Sequence, residues 1–289
     1  MAAKNTIYKR IEDLTIGDEY LFESVMQNEK LCKLFIEKFL EIPEIEKIKS
    51  VSAEESYKPT FHGRGVRFDI YVKGQDDVAY VVELQRKDTK ELEKRFRYYQ
   101  SMIDSKQLAQ GKNYSYKNLK DSYIIFICRD DFLDQGHYRY TFRTSCVEIP
   151  ELVIYDGSHK VIFNTKGTQG EISDDVKSFL RAIEGIESDN EFVKLFQDEA
   201  EEIKENETWR ESYMQSLLRE MDRYDEAYEN GLEDGRAAGH AAGQEIGANS
   251  KAVEVAKSLL SSGMPVSEVM MHSKLPLEQV ELLLLDSHN

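Results

Sequence analysis

GVRFDIYVKGQDDVAYVVELQRKDTKELEKRFRYYQSMIDSKQLAQ, residues 65–110, sets the frame for the rest of the chain. Two runs within it, residues 66–72 and 79–85, carry the β-branched and aromatic alternation of strands, with Gly-Gln-Asp-Asp between them. Side chains alternate faces along a strand, so Arg67, Asp69 and Tyr71 are expected on one face, opposite Phe68, Ile70 and Val72. In the second run Val81, Glu83 and Gln85 share a face, opposite Tyr80, Val82 and Leu84. A hairpin that brings Asp69 near Glu83 would gather two carboxylates and an amide on one surface. Such a surface suits a divalent cation, which takes oxygen ligands.

Acidic residues in strands also occur on the solvated face of an amphipathic hairpin. Against that, Val81, Val82 and Leu84 surround Glu83 with apolar residues. A strand apolar on both faces is central and buried, and a buried carboxylate needs a partner.

The net charge of −16 is unevenly spread. Residues 1–168 hold 27 Lys and Arg against 27 Asp and Glu, whereas the remainder holds 11 against 27. Within the balanced part, residues 85–120 carry ten basic and four acidic side chains. A local basic excess beside a carboxylate site is what phosphate neutralisation requires. It is equally what a solvated helix with ion pairs such as Glu91–Arg95 and Glu93–Arg97 would show.

The residues also carry a resemblance. Arg67-Phe-Asp-Ile-Tyr, Val82-Glu-Leu-Gln, Arg95-Phe-Arg-Tyr-Tyr-Gln and Tyr123-Ile-Ile-Phe-Ile-Cys, in that order, resemble the PD-(D/E)XK nuclease superfamily. Within it the wording is similar to the bacterial Rpn-type recombination-promoting nucleases, also described as transposases. The resemblance runs from about residue 14 to about residue 235. It implies an α/β fold with a restriction-endonuclease-like core of order αβββαβ, a mixed sheet flanked by helices, followed here by an α-helical C-terminal tail. It further implies a metal-dependent DNA endonuclease, with Mg²⁺ or Mn²⁺ as cofactor and DNA as partner. Asp69 and Glu83 are then the expected metal ligands, and Gln85 stands where most of the superfamily has lysine. Glu19, three residues before Phe22, matches an acidic position that helps hold the metal or orient water, though relatives usually have Asp there. Arg67, Lys87, Arg95 and Tyr99 are the expected DNA contacts. An inactive nuclease fold that binds DNA or a partner, and a regulatory protein acting through its tail, remain alternatives.

Working outward, residues 16–40 have helical apolar spacing and read as the first helix, with Asp18 and Glu19 at its start. Acidic residues there also complement the helix dipole. Residues 45–53 read as a strand and 54–63 as a polar loop. Lys87-Asp88-Thr89 opens the second helix, with Asp88 and Glu91 at capping-box spacing and a stripe of Leu92, Phe96, Tyr99, Met102 and Ile103. Residues 122–128 form an apolar run that fits a buried strand, and residues 138–142 belong to an elaboration after it. Residues 152–155 and 161–164 flank Asp156-Gly157, the signal of a hairpin. His137 and His159 lack partners at metal-ligand spacing.

The expected organisation is a nuclease-like domain over 1–168, an acidic helical extension over 169–229, a third segment over 230–249 and a small helical module over 250–289. In the extension, Trp209 and Tyr213 stand four residues apart as a docking pair. In the third segment Gly231, Gly235, Gly239, Gly243 and Gly247 recur every fourth residue. Each glycine costs about 1 kcal/mol against alanine in a helix interior, so this segment is either a self-association helix or a flexible linker. The last module resembles a helix-turn-helix, but its final helix is acidic and apolar and offers few groups for base edges. It reads as a protein-contact cap.

Cys32, Cys128 and Cys146 are widely spaced and odd in number, against a disulfide framework or zinc site. With no apolar run of membrane-span length and no signal-like start, the expectation is a cytoplasmic protein without a membrane partner. No Walker, GxSxG or HExxH pattern occurs, which removes support for nucleotide hydrolysis, a triad esterase and a zinc protease.

Overall fold

The strand β3, Ala79–Gln85, is buried at every residue but its last, as its apolar character on both faces demands. It lies between β2 (Val66–Gly74), antiparallel, and β4 (Ser122–Cys128), parallel. The computed structural model describes residues 9–42, 45, 48–57, 65–86, 90–109 and 115–286. Beyond β2 the sheet is closed by antiparallel β1 (Ile48–Tyr57). Beyond β4 come parallel β8 (Ser158–Asn164) and antiparallel β5 (Arg139–Phe142), giving the order β1-β2-β3-β4-β8-β5. The result is the mixed sheet of a PD-(D/E)XK-like core, β1 to β4, with two strands, β8 and β5, added beyond β4.

Helices cover both faces. Ile70, Val72, Tyr80, Val82, Leu84 and Phe163 pack on one side against α1 (Glu19–Val25), α2 (Glu29–Leu40), α4 (Asp174–Ile183) and α5 (Glu191–Glu205). This layer is held by aromatic contacts centred on the fully buried Phe35, which stacks on Phe39 at 3.9 Å and meets Phe22, Phe179 and Phe196 edge-on. The other side is covered by α3 (Leu92–Ala109), whose Leu92, Phe96, Tyr99 and Ile103 pack on Phe68, Val81, Ile124 and Phe126. Close packing also fixes the approach to α1. A Cβ at Gly17 would stand 2.0 Å from the Ile183 carbonyl oxygen, so only glycine fits there.

Several local expectations are corrected. The helix read over residues 16–40 is two helices, because Asn28 accepts from the Lys30 and Leu31 N–H groups and caps a new one. The first sheet strand begins later than residue 45 and runs on to Tyr57 through part of the expected polar loop, where β2 pairs with it. Residues 138–142 form the elaboration expected of them, as β5, an edge strand added to the main sheet beyond β8. The hairpin about Asp156-Gly157 does not form. β8 already has β4 on one edge and β5 on the other, so β7 (Val153–Ile154) pairs instead with β6 (Thr144–Ser145). Gly157 still turns the chain, at φ +76°, and its carbonyl accepts from Ser122 to start the β4–β8 ladder.

The strict alternation read for β2 also fails. Ile70 and Val72 face α1 and α2, but Phe68 faces α3 with Tyr71. The ladder between β2 and β3 ends at Ile70–Val82. Past that point β2 departs from β3, and Phe68 sets its ring edge-on to Tyr99 at 5.1 Å.

The chain divides into two compact units, residues 1–214 and 215–289. α6 is one helix, Glu207–Ser261, that includes all five regularly spaced glycines. In the first unit its opening turns bring Trp209 and Tyr213, stacked on each other, against Tyr20. In the second, Ala256 and Leu260 join α7 (Val266–Ser273) and α8 (Leu277–Asp286) around Val269, Leu275 and Val280. No described helix is long and apolar enough to cross a membrane.

Candidate metal and nucleic-acid site

Where β2 leaves β3, two backbone N–H groups lose their ladder partners, and two carboxylates take them. Asp69 N–H donates to Glu83 Oε1 at 3.0 Å, and Leu84 N–H donates to Asp69 Oδ2 at 3.1 Å. Each strand's side chain thus satisfies the other strand's backbone, as burial requires. Glu83 is 2% exposed and Asp69 9%.

Glu83 faces α3. Its Oε2 accepts from Arg95 Nη2 at 2.8 Å and from the Tyr99 hydroxyl at 3.2 Å. Arg95 also donates to Tyr99 Oη at 2.8 Å and, through Nη1, to Gln85 Oε1. Its guanidinium lies 5.2 Å from the centroids of both Tyr99 and Phe126. Burial, with the charge of Glu83 second, pushes the Tyr99 phenol to about 12, so it stays protonated and donates.

Asp69 faces the other way as well. One carboxylate oxygen from each of Glu19, Glu23 and Asp69 lies within 4.8 Å of the other two. Glu19 and Glu23 are four residues apart on α1 and therefore share a face. Sequence pattern did not single out Glu23; its i,i+4 relation to Glu19 was the available signal. Asp18, by contrast, does not cap α1 with its side chain. It accepts from the Thr15 N–H at 2.9 Å and pairs with Lys9 at 2.7 Å, with Arg86 at 3.9 Å.

The structure therefore brings Asp69, Glu83, Gln85, Arg95 and Tyr99 into one network and sets Glu19 beside Asp69. Arg67 is exposed on β2 close to it. Lys87 lies outside the described residues, as does the Asp88 end of the expected capping box.

Burial first, and then the charge of Glu19, raises the Asp69 carboxyl to about 7. Burial and the charge of Asp69 raise Glu83 well above the usual carboxylate range, against the opposing pull of Arg95. Converging carboxylates of this kind, offering only oxygen, fit a hard divalent cation such as Mg²⁺ or Mn²⁺. A bound cation would offset the mutual repulsion that raises these groups.

Residues 19–156 match the model of a family described as PD-(D/E)XK nuclease family transposase. The match covers a little under half of the chain and makes this part similar to that family. No curated protein and no solved structure matches the chain. The matched part spans α1 through the loop before β8, and so includes every member of the network around Asp69 and Glu83. The family name ends on a lysine, and the residue two positions after Glu83 in this domain is Gln85.

The raised carboxyls make the metal-free fold sensitive to pH in a definite direction. Between about 4 and about 7 folded Asp69 keeps a proton that the unfolded chain gives up, so stability falls as pH rises. The slope for one such group approaches about 1.4 kcal/mol per pH unit. In chelator, urea titrations of the wild type should show this fall. Asp69→Asn, which retains an oxygen for the Leu84 N–H, should flatten it and be the more stable protein at pH 8. A wild type that gains stability between pH 5 and pH 8 relative to Asp69→Asn would contradict the assignment.

Proposed function

We propose that the domain is a divalent-metal-dependent DNA endonuclease, hydrolysing phosphodiester bonds in recombination or in the movement of genetic elements. The observation that carries the reading is the meeting of Asp69 and Glu83 at the opened end of β2 and β3, with Glu19 and Glu23 beside Asp69. It occurs within the part of the chain that matches the nuclease family model. Asp69 and Glu83 would hold Mg²⁺ or Mn²⁺, with Glu19 and Glu23 adding acidic oxygen from α1. The bound ion would polarise the phosphate and lower the pKa of a water molecule.

The chain's own residues do the rest. Asp69 and Glu83 hold the strand end open by replacing its ladder bonds. Gln85, held at its oxygen by Arg95, orients by hydrogen bonding, since an amide carries no charge. Exposed Arg67 and Arg86 flank this network, and with Lys87 and Arg95 they form the proposed phosphate contacts. The ten basic residues against four acidic ones over 85–120 supply the electrostatic attraction that DNA backbone binding needs.

A second surface belongs to the same proposal. Residues 218–251 of α6 are exposed throughout, and a Cβ added at any of the five glycines would meet nothing within 4 Å among the described residues. A helix that keeps five glycines at about 1 kcal/mol each, yet buries none of them within the chain, is suited to close approach by a second copy.

Supercoiled plasmid with Mg²⁺ or Mn²⁺ tests the first proposal: the wild type should nick or linearise it, and Asp69→Ala and Glu83→Ala should each lose at least 100-fold in rate. Plasmid retained but left intact by pure wild type would make the domain a binding module that does not cut. Light scattering tests the second. The full chain should give a multiple of 33.5 kDa, and a chain ending at Glu229 should give a monomer mass. A monomeric full chain would reject the α6 interface.

A further inference from the structure

We infer that Arg95 is the positioning residue of the proposed nuclease site, acting from α3 through Glu83 and Gln85 rather than only as a contact to DNA. The inference rests on the nuclease reading above and extends it to one side chain whose geometry is unusual. A single guanidinium reaches Glu83 Oε2, Gln85 Oε1 and Tyr99 Oη, three groups on two elements. Arg95 lies near the start of α3, and Glu83 and Gln85 share the α3-facing side of β3. The planar fork is held within 5.2 Å of two ring centroids, so its donors are fixed before any substrate arrives. Its side chain is 29% exposed, so it can meet a phosphate, but its donors are already engaged by Glu83, Gln85 and Tyr99.

Three consequences follow from donor chemistry. A guanidinium only donates, so Gln85 must present its oxygen to Arg95, which turns the amide's N–H end away from it. Glu83 is buried beside Asp69, and Arg95 is the cation seen paired with it among the described residues. The pair therefore sets both the direction of the Glu83 carboxylate and the balance of charge at the site. A cation on residue 85 would approach the same carboxylate from the same face of β3. An ammonium placed there can therefore replace part of what the guanidinium does.

The test is a double-mutant cycle on plasmid cleavage with Mn²⁺, using Arg95→Ala, Gln85→Lys and both together. Arg95→Ala should lower kcat by about 100-fold while KM changes less than threefold. Adding Gln85→Lys to it should restore at least tenfold of that loss, a larger factor than Gln85→Lys gives in the wild type. Melting curves accompany each variant, and recovery by a second substitution at residue 85 is not expected of a merely structural defect. A change in KM alone would return Arg95 to DNA contact and overturn the inference. So would equal factors for Gln85→Lys in both backgrounds, or an Arg95→Ala rate near wild type. Wild type that cleaves nothing would show beforehand that the nuclease reading itself had failed.

Discussion

Two buried carboxylates that satisfy each other's strands govern this domain. A sheet can open at its end only if the freed N–H groups find acceptors, and here Asp69 and Glu83 are those acceptors. The arrangement is costly for the isolated protein, since burial raises both groups, aided by the charge of Glu19 at Asp69 and by that of Asp69 at Glu83. The surrounding elements read as answers to that constraint. α3 brings Arg95 and Tyr99 to Glu83, and α1 brings two further carboxylates to Asp69. Adding acid to acid makes no sense for stability alone. It makes sense for holding a cation.

The packing explains why the opening stays in place. β3 is clamped between an antiparallel and a parallel neighbour and buried on both faces, so it cannot follow β2 outward. α1 is fixed in turn by the close passage of Gly17 under Ile183 and by the Tyr20 contact with Trp209 and Tyr213. Residues as late as 213 thus support the helix that carries Glu19 and Glu23. The acidic extension contributes core packing, through Phe179, Phe192 and Phe196, as well as charge.

Much of this was legible in the chain. β3 and β4 stand where β-branched runs between turn signals placed them, because short apolar strands state their own limits. The face shared by Glu83 and Gln85 followed from simple alternation. What escaped was decided by partners rather than by local pattern. Asn28 reads as helix interior until its side chain is seen capping Lys30 and Leu31. β7 reads as the mate of β8 until both edges of β8 prove taken. Phe68 reads as facing with Ile70 until the ladder ends between them. Glu23 escaped for another reason: an acidic residue in a short helix looks solvated until the helix is known to lie over a strand end.

The central claim is that this strand end is built to hold a divalent cation on Asp69. Calorimetric titration of Mn²⁺ into the metal-free chain, wild type against Asp69→Asn, tests it without requiring any catalysis. The account predicts saturable binding by the wild type and its loss in the variant, with the variant fully folded. Equal binding by both proteins, or none by the wild type, would contradict it.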